Sequence, residues 1–391
     1  MNTPYFALKN SNISAFCRYI TVFFFLATSC SLARQNDGWR LIPCDTIILP
    51  NNIGYTKSYY SAEHSTQVNT YISFPDGQNP PYFHHFCMDS IITTSIFPIY
   101  TLLSNYMPEN QHNLIIQRPG AKPYFRIDRN GDVMDTLHFF AGEAYQDFWS
   151  FMFFYPVVSN NGKFFFYSYI SIPNTNDYQE NRKSRLYEFG NRYLSKLSII
   201  GDSILITDYR KWVYFPKIYT KEGVSFESYW PKIAVNKKME FISVFPYVDS
   251  LYVTGQDGQQ RRYPLYSRHH TNPYNEFNVE RYLDYLYLDQ YACHEFKFSN
   301  VLYDSYRDYI YLTAALPIKF ENEDGTKANA ADKPWSLIIL DSTYAQIGEI
   351  DMPDYLSKHS LMVTPQGLAV QKRDLSDKGE AIFIIYKIEK S

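Results

Sequence analysis

Short apolar segments that recur along most of the chain constrain its fold more than any other feature. From residue 45 onward, runs rich in Val, Ile, Phe and Tyr return roughly every 10 to 15 residues between Gly, Asn, Asp and Pro, as in strands bounded by turns. Three of these turns contain Asn-Gly or Asp-Gly, which supply the positive φ angles of tight hairpins. The sequence therefore predicts an all-β fold built from antiparallel hairpins. The three turns are Asp128–Asp132, Asn160–Lys163 and Gln256–Gly258.

The composition supports the same prediction and excludes one class of partner. The chain has 37 Tyr, 29 Phe and 5 Trp in 391 residues, and aromatic side chains favour pleated, half-buried strands over helix interiors. The net charge is −3, so no overall positive field exists to hold a polyanion by counterion release. We therefore expect no nucleic-acid partner.

Chain length selects among the antiparallel architectures. The chain is too long for one sandwich, but blades of about 50 to 60 residues give a six- or seven-bladed β-propeller of four-stranded antiparallel sheets. A weak internal repeat agrees with this, because Tyr124–Asp132 and Ser336–Asp341 both read as a strand that ends in Asp before a turn. The prediction is a propeller that spans residues 45–391.

Two segments depart from the strand pattern. Near residues 275–290, Val279, Tyr282, Leu283 and Leu286 recur at the spacing of an amphipathic helix, which predicts a short helical insertion across one end of the propeller. Residues 321–334 are polar and lack aromatic side chains. We expect them to form a mobile surface loop.

The N-terminus has the pattern of an export signal. Lys9 and Arg18 precede the apolar stretch Tyr19–Ala27, which is too short for a bilayer span of about 20 residues. The segment Leu26–Cys30 resembles a bacterial lipobox, which implies cleavage before Cys30 and lipid attachment to that residue. The alternatives are an ordinary signal peptide in which Cys30 is incidental, or a buried N-terminal strand. The prediction is a lipoprotein signal at 1–29, a lipidated tether at 30–44 and the propeller at 45–391.

The residues after the predicted lipidation site bear on location. No Asp stands at the second position, where Ser31 lies, and no acidic run follows. By resemblance to lipoprotein sorting rules, this pattern favours the outer membrane, with the protein attached through its lipid anchor and facing the periplasm. Stable attachment through acyl chains agrees with the predicted modification of Cys30.

The C-terminal third contains four distinctive segments, Val301–Tyr311, Trp335–Asp341, Ile347–Glu349 and Gln366–Val370. Together with the lipobox and the propeller-like strand spacing, they resemble a family of uncharacterised propeller-like lipoproteins of Gram-negative, gut-type bacteria, and the similarity covers most of residues 45–391. The resemblance implies a β-propeller and brings no established activity and no catalytic residues.

Motifs of known chemistry are missing from the sequence. It contains no nucleophile elbow, Walker loop, dinucleotide fingerprint, paired CxxC or HExxH, and Phe298 stands where a zincin helix starting at His294 needs its second His. The pairs His84–His85 and His269–His270 are adjacent residues, which on a strand point to opposite faces, so each pair supplies at most one inward ligand. We predict no catalytic residue, no cofactor and no metal.

Three cysteines follow Cys30 in the chain. Cys44, Cys87 and Cys293 lack the spacing of a metal site and can form at most one disulfide. We expect them to behave as small buried hydrophobic side chains.

One polar and aromatic group is the candidate ligand face. Tyr303, Asp304, Tyr306 and Arg307 place a carboxylate and a guanidinium beside aromatic rings, a combination that could bind a sugar or peptide at the propeller mouth. Alternatively, Asp304 and Arg307 form an ion pair that stabilises a turn, with the tyrosines packed beneath it.

The sequence thus favours a noncatalytic binding or scaffold protein for an envelope protein, a peptide or a glycan. A propeller hydrolase or lyase acting on glycans is the alternative, because fold does not fix function. A purely structural envelope component is a third possibility.

Overall fold

A computed structural model gives the structure of the protein. Internal contacts divide the chain into Met1–Arg34 and Gln35–Ser391, and every described residue belongs to the second unit. Residues 1–37, with the predicted signal and Cys30, lie outside the described part. The described residues are 38–49, 53–61, 66–74, 82–87, 90–95, 105–108, 114–117, 124–128, 132–140, 154–160, 163–169, 194–208, 216, 231–270, 274–275, 277–278, 281, 284–374, 376 and 379–390.

The strands form six four-stranded antiparallel sets, the blades of a β-propeller. This confirms the predicted fold class, and the described chain has six blades. The first three blades are β2 (Ile53–Ser61), β3 (Thr66–Phe74), β4 (Tyr82–Cys87) and β5 (Ser90–Ser95); β6 (Asn105–Pro108), β7 (Leu114–Gln117), β8 (Tyr124–Ile127) and β9 (Val133–Phe140); and β10 (Phe154–Asn160), β11 (Lys163–Tyr169), β12 (Leu194–Ile200) and β13 (Ser203–Asp208).

A parallel pairing of β13 with β9 joins blades 2 and 3 into one eight-stranded sheet.

The second half of the ring carries most of the described side chains. Blades 4 to 6 are β14 (Lys232–Val235), β15 (Phe241–Val244), β16 (Ser250–Thr254) and β17 (Gln260–Pro264); β18 (Lys297–Asp304), β19 (Tyr309–Ala315), β20 (Trp335–Leu340) and β21 (Gln346–Asp351); and β22 (Leu356–Val363), β23 (Leu368–Lys372), β24 (Ala381–Lys390) and β1 (Trp39–Leu49).

The N-terminal strand closes the ring. β1 is the outer strand of blade 6 and pairs antiparallel with β24, so the first described strand meets the last. It begins at Trp39, and the predicted tether boundary at residue 45 falls inside it. Trp39 is buried, and its indole Nε1 donates to the Ile347 carbonyl of blade 5 at 2.7 Å. The propeller therefore begins before residue 45, because its last blade needs this strand.

The first strand of each blade is innermost and defines two faces of the ring. Neighbouring inner strands contact each other, as β14 does β18 and β18 does β22. Because each blade is an antiparallel meander, the face where inner strands begin also carries the connections between blades and the loops between second and third strands. We call it the entrance face. The hairpins between first and second strands lie on the opposite face.

Apolar side chains fill the spaces between blades. Blade 4 packs against blade 5 through residues such as Leu251 and Leu312, and blade 5 packs against blade 6 through Trp335 and Leu361. All four are 1% exposed or less. The segments that carry the family resemblance supply much of this core, so they mark blade packing.

Turns on the opposite face explain the weak sequence repeat. Asp128 and Asp341 each end the third strand of a blade, and the carboxylate Oδ1 of each accepts a backbone N–H four residues later, at 2.9 Å from Asp132 and 3.2 Å from Ala345. The predicted repeat therefore corresponds to one position in blades 2 and 5. Gly258 turns the hairpin of β16 and β17 with a φ of 80°, as predicted.

The helical insertion is present but displaced towards the C-terminus. Helix α1 spans Tyr285–His294, and the Asp284 carboxylate caps it by accepting the Tyr287 N–H. Tyr291 and Cys293 are buried, whereas Leu286 of the predicted apolar stripe is 57% exposed. The other three stripe residues lie outside the described part of the chain. The prediction of burial was wrong for Leu286, because the helix capped by Asp284 begins later than predicted.

None of the helices in the described ranges is both long and apolar enough to cross a membrane.

The predicted surface loop at 321–334 is partly an ordered, buried structure. Glu321 and Lys327 form a β-bridge, and a 3-10 helix, Ala330–Asp332, follows. Lys333 is only 2% exposed. The prediction of a mobile surface loop was wrong for Lys333, because its ammonium group binds carbonyls beneath the surface.

The described cysteines differ in their exposure to solvent. Cys293 of α1 is buried, as expected, but Cys44 on β1 is exposed. The register of β1 against β24 shifts between Pro43 and Asp45, so Cys44 is the extra residue of a β-bulge. Its exposure contradicts the expectation of a buried thiol.

Candidate functional site

The predicted ligand group lies at the hairpin between β18 and β19, on the opposite face of blade 5. Asp304 is the last residue of β18, and Tyr306 and Arg307 belong to the turn. Tyr303 is buried and Tyr306 is 40% exposed. As a ligand face, this group stays a prediction, with Tyr306 as its most exposed member.

The Asp304 carboxylate is fully buried and fully engaged. Its Oδ1 accepts the backbone N–H groups of Tyr306 and Arg307 at 2.9 and 3.1 Å. Its Oδ2 accepts Arg307 Nη1 at 2.8 Å and the Tyr311 hydroxyl at 2.9 Å. Burial raises the pKa of Tyr311 well above its usual value, and the adjacent carboxylate adds to that shift. This geometry matches the turn-stabilising ion pair that the sequence offered as an alternative.

Arg307 also connects two blades. Its Nη1 donates to the Thr364 carbonyl at 3.1 Å and its Nη2 to the Pro365 carbonyl at 2.6 Å. Both acceptors belong to the turn between β22 and β23 of blade 6. The Asp304–Arg307 pair therefore locks the hairpin of blade 5 onto that of blade 6.

Positive side chains of three blades lie at the entrance face, together with the Asp332 carboxylate, which is 3.7 Å from Arg373 Nη1. Lys232 and Lys297 are the first residues of inner strands β14 and β18, and Lys358 and His359 lie near the start of inner strand β22. Arg373 follows β23 at the same face, where its backbone N–H donates to the Tyr355 carbonyl at 2.8 Å. We call these five residues the basic entrance. They contrast with a chain whose net charge is −3.

The pKa of His359 is lowered by its surroundings at this entrance. The surrounding structure lowers the pKa of His359 to about 4, first through desolvation of the ring and then through repulsion by Lys358, Lys232 and Lys297. Lys232 belongs to blade 4 and His359 to blade 6, which are not neighbours in the ring. Lys232, Lys297 and His359 thus lie on the inner strands of three different blades.

Two buried lysines support the entrance from below. Lys358 Nζ donates to the carbonyls of Ala330 and Ala331 at 3.2 and 2.5 Å, in the 3-10 helix. Lys333, just after that helix, donates from Nζ to the Ala292 carbonyl at 2.8 Å and to the Glu295 carbonyl, at the C-terminal end of α1. Cations suit the partial negative charge of a helix C-terminus. The two lysines thus connect inner strand β22 to α1.

Burial also changes the titration of these amines. It lowers the pKa of Lys333 to about 7 and that of Lys358 to about 8, with repulsion from nearby cations adding to both shifts. Both groups are held by backbone carbonyls, so they serve as supports of the entrance.

This burial predicts an unusual pH dependence of stability. Between pH 7 and the unfolded pKa of lysine, about 10.4, the unfolded chain binds more protons than the folded one, so stability rises with pH. We expect stability to increase less steeply with pH in Lys333→Met. Some of the increase should remain, because the pKa of Lys358 is also lowered. Urea unfolding at pH 6.5 and pH 9 measures it, and the exposed control Lys319→Met keeps the wild-type difference. An identical pH dependence in Lys333→Met contradicts the prediction.

The His269–His270 pair was expected on a strand but lies in a turn after β17. His269 Nε2 lies 2.6 Å from Asp351 Oδ1, and His270 Nε2 lies 3.5 Å from Asp249 Oδ2. The His270 ring also stacks on Phe296, with 4.7 Å between centroids. The two imidazoles therefore pair with different carboxylates. The other pair, His84–His85, lies on β4.

Sequence reasoning missed the basic entrance. Its members are spread over 142 positions, from Lys232 to Arg373, with no shared motif. One signal was available, because Lys232 and Lys297 both precede apolar strand segments. A search for a cation that recurs at the start of the inner strands could have found them.

Comparisons with known proteins agree on the fold. Neither a family model nor a curated protein matches the chain. A crystal structure of a DUF4221 family member from Bacteroides vulgatus matches with a TM-score of 0.68 and 15% identity, over 91% of this chain and 100% of that one. At this identity the match shows the fold.

Weaker structural matches include an exported protein from Bacteroides fragilis, with a TM-score of 0.46, 9% identity and coverage of 90% of this chain and 96% of that one. Virginiamycin B lyase from Staphylococcus aureus matches with a TM-score of 0.37 and 8% identity, over 89% of this chain and 99% of that one. Neither similarity assigns an activity to this chain.

Proposed function

We propose that the protein is an exported, lipid-anchored propeller that binds a ligand without chemical conversion, at the basic entrance. The observation that carries this proposal is that Lys232 and Lys297 are the first residues of two adjacent inner strands, at the entrance face where Lys358 and His359 also lie, in a chain of net negative charge. An excess of charges of one sign on a surface raises the local concentration of an oppositely charged ligand. The ligand contacts come from three blades, so the folded ring presents them together.

The titration of His359 favours binding over catalysis at this site. A general base works best with a pKa near the operating pH. With its pKa lowered to about 4, His359 is a weak base at neutral pH. The alternative of a glycan hydrolase or lyase needs other groups, whereas a neutral imidazole beside lysines suits ligand contact.

The binding role is tested by site-specific cross-linking. A photo-reactive amino acid at His359, in the protein expressed in a Gram-negative host, should capture an envelope component. The same label at Lys319, which is exposed on the loop after β19, is the matched control. Equal capture from both positions, or capture from neither, contradicts the proposed binding site.

Membrane attachment is tested by changing the predicted lipidation site. We expect Cys30→Ala to abolish incorporation of labelled fatty acid and to move the protein from the outer-membrane fraction to the soluble periplasmic fraction. Two acyl chains anchor a protein stably, so the loss should be nearly complete. Cys44→Ala is the control, since that thiol lies on β1 of the propeller. Continued labelling of Cys30→Ala overturns the anchor proposal.

A further inference from the structure

The chain enters the propeller on the opposite face. Trp39 is the first residue of β1, and β1, as the fourth strand of blade 6, begins at the face that carries the hairpins between first and second strands. Trp39 is 5% exposed, and its indole Nε1 donates to the Ile347 carbonyl at 2.7 Å, which fixes this point on the ring. A membrane anchor that precedes β1 is therefore connected to the ring at its opposite face.

The length of chain before β1 limits how the ring can turn towards a membrane. Trp39 lies nine residues after Cys30, and nine residues span at most about 32 Å whatever path they take. The inner strand β18 has eight residues, so the two faces of blade 5 are about 26 Å apart. To bring the entrance face to a membrane that holds Cys30, the nine residues would have to be almost fully extended along the outer wall. The opposite face reaches that membrane at any extension.

Exposed apolar side chains occur at three separate points of this face. Met134 near the start of β9 is 57% exposed, Ile200 at the end of β12 is 55% exposed, and Tyr306 between β18 and β19 is 40% exposed. They belong to blades 2, 3 and 5, and each lies at a hairpin of the opposite face. Apolar and aromatic side chains can enter the headgroup region of a bilayer, where Tyr keeps its hydroxyl in contact with water. Three hairpins spread over one face can contact a flat surface together.

The charges on this face have both signs. Lys237 and Lys238 are exposed in the hairpin between β14 and β15, and Asp257 is exposed in the hairpin between β16 and β17. Asp308 lies 3.5 Å from Lys237 as its ion-pair partner. Cations and anions are present in similar numbers at the described hairpins, so no excess of negative charge opposes contact with anionic headgroups. The other exposed charged residues at this face are Arg40, Asp132, Asp202, Arg261, Glu389 and Lys390.

We propose that Met134, Ile200 and Tyr306 hold the opposite face of the ring on the lipid bilayer that carries the Cys30 anchor, so that the basic entrance points away from the membrane. This inference rests on the lipid anchor of the proposed function. The acyl chains supply the affinity for the bilayer, and the three side chains set the orientation of the ring. A ligand that arrives from the aqueous side then reaches the basic entrance directly.

The test measures how close labels on the two faces lie to the bilayer. The full-length lipidated protein carries the fluorophore NBD on a clickable non-natural amino acid at one position. It is reconstituted in vesicles of phosphatidylethanolamine and phosphatidylglycerol, with or without a lipid that bears a nitroxide on its headgroup. Tyr306 is matched by Tyr355 of the entrance face, which is 44% exposed, and Met134 by Leu286 of α1, which is 57% exposed.

Nitroxide quenching acts over short distances, so its pattern reports the orientation. We expect labels at Tyr306 and Met134 to lose more than about half of their emission, because their side chains reach the headgroup region. Labels at Tyr355 and Leu286 should lose little. Unchanged thermal unfolding of each labelled protein confirms that it is folded.

Every other outcome contradicts the proposal. Equal quenching on both faces, or stronger quenching at Tyr355 and Leu286, overturns the orientation, and no quenching at any position overturns the contact with the bilayer. A dimer in detergent micelles that Met134→Glu dissociates assigns this face to a second copy of the chain instead. Mass spectrometry of the same sample tests for the acyl chains. Their absence refutes the anchor of the proposed function, whereas an acylated protein with the wrong quenching pattern refutes the orientation alone.

Discussion

Asp304→Ala is expected to lower the free energy of unfolding by about 4 kcal/mol, because it removes one partner of a buried ion pair. The change leaves Arg307 and the buried Tyr311 hydroxyl without their acceptor at Oδ2, and two turn N–H groups without theirs at Oδ1. Asp304→Asn keeps an oxygen for the turn but loses the charge, so its effect should be smaller. Equilibrium urea unfolding measures the effects of both changes, each introduced in the Cys30→Ala background.

Asp354→Ala is the matched control for charge. Asp354 is exposed just before β22, so its loss should change stability by no more than about 0.5 kcal/mol. Comparable destabilisation by both changes would mean that net charge, and not the Asp304 network, is responsible. If Asp304→Ala keeps full stability but loses a ligand, the ligand-face prediction for this hairpin is supported instead.

Gly367→Ala should also destabilise the propeller, by about 3 kcal/mol, through overpacking against backbone. A Cβ at this position would lie 2.1 Å from the Tyr386 carbonyl oxygen and 2.7 Å from its carbon. Leu368 pairs with Tyr386 in the register of β23 and β24, so relief requires these strands to separate. Thermal unfolding should show a lower midpoint for this variant.

Gln366→Ala is the control in the same turn, because Gln366 is exposed and its side chain is free to change. Its midpoint should match the wild type. An unchanged midpoint in Gly367→Ala would show that β23 moves away from β24 at little cost. The Asp304 and Gly367 changes should also be non-additive, since Arg307 binds the turn that Gly367 ends.

Local sequence pattern predicted the Asp304–Arg307 pair, but it did not predict the basic entrance. Asp304 and Arg307 stood out in the sequence because a carboxylate and a guanidinium three residues apart can meet in one hairpin. Local geometry alone brings them together, and the structure shows that pair. Lys232 and His359 are 127 positions apart, and only ring closure brings them to the same entrance.

The sequence by itself determined the strands, the turns and the class of fold, because alternation, aromatic content and Asx-Gly pairs act within a few residues. Tertiary structure alone decided the number of blades, the closure of the ring by β1 and the burial of Lys333 within a polar segment. It also decided the position of the basic entrance. These features depend on contacts between residues far apart in the chain, and those contacts exist only when blades pack around a common axis.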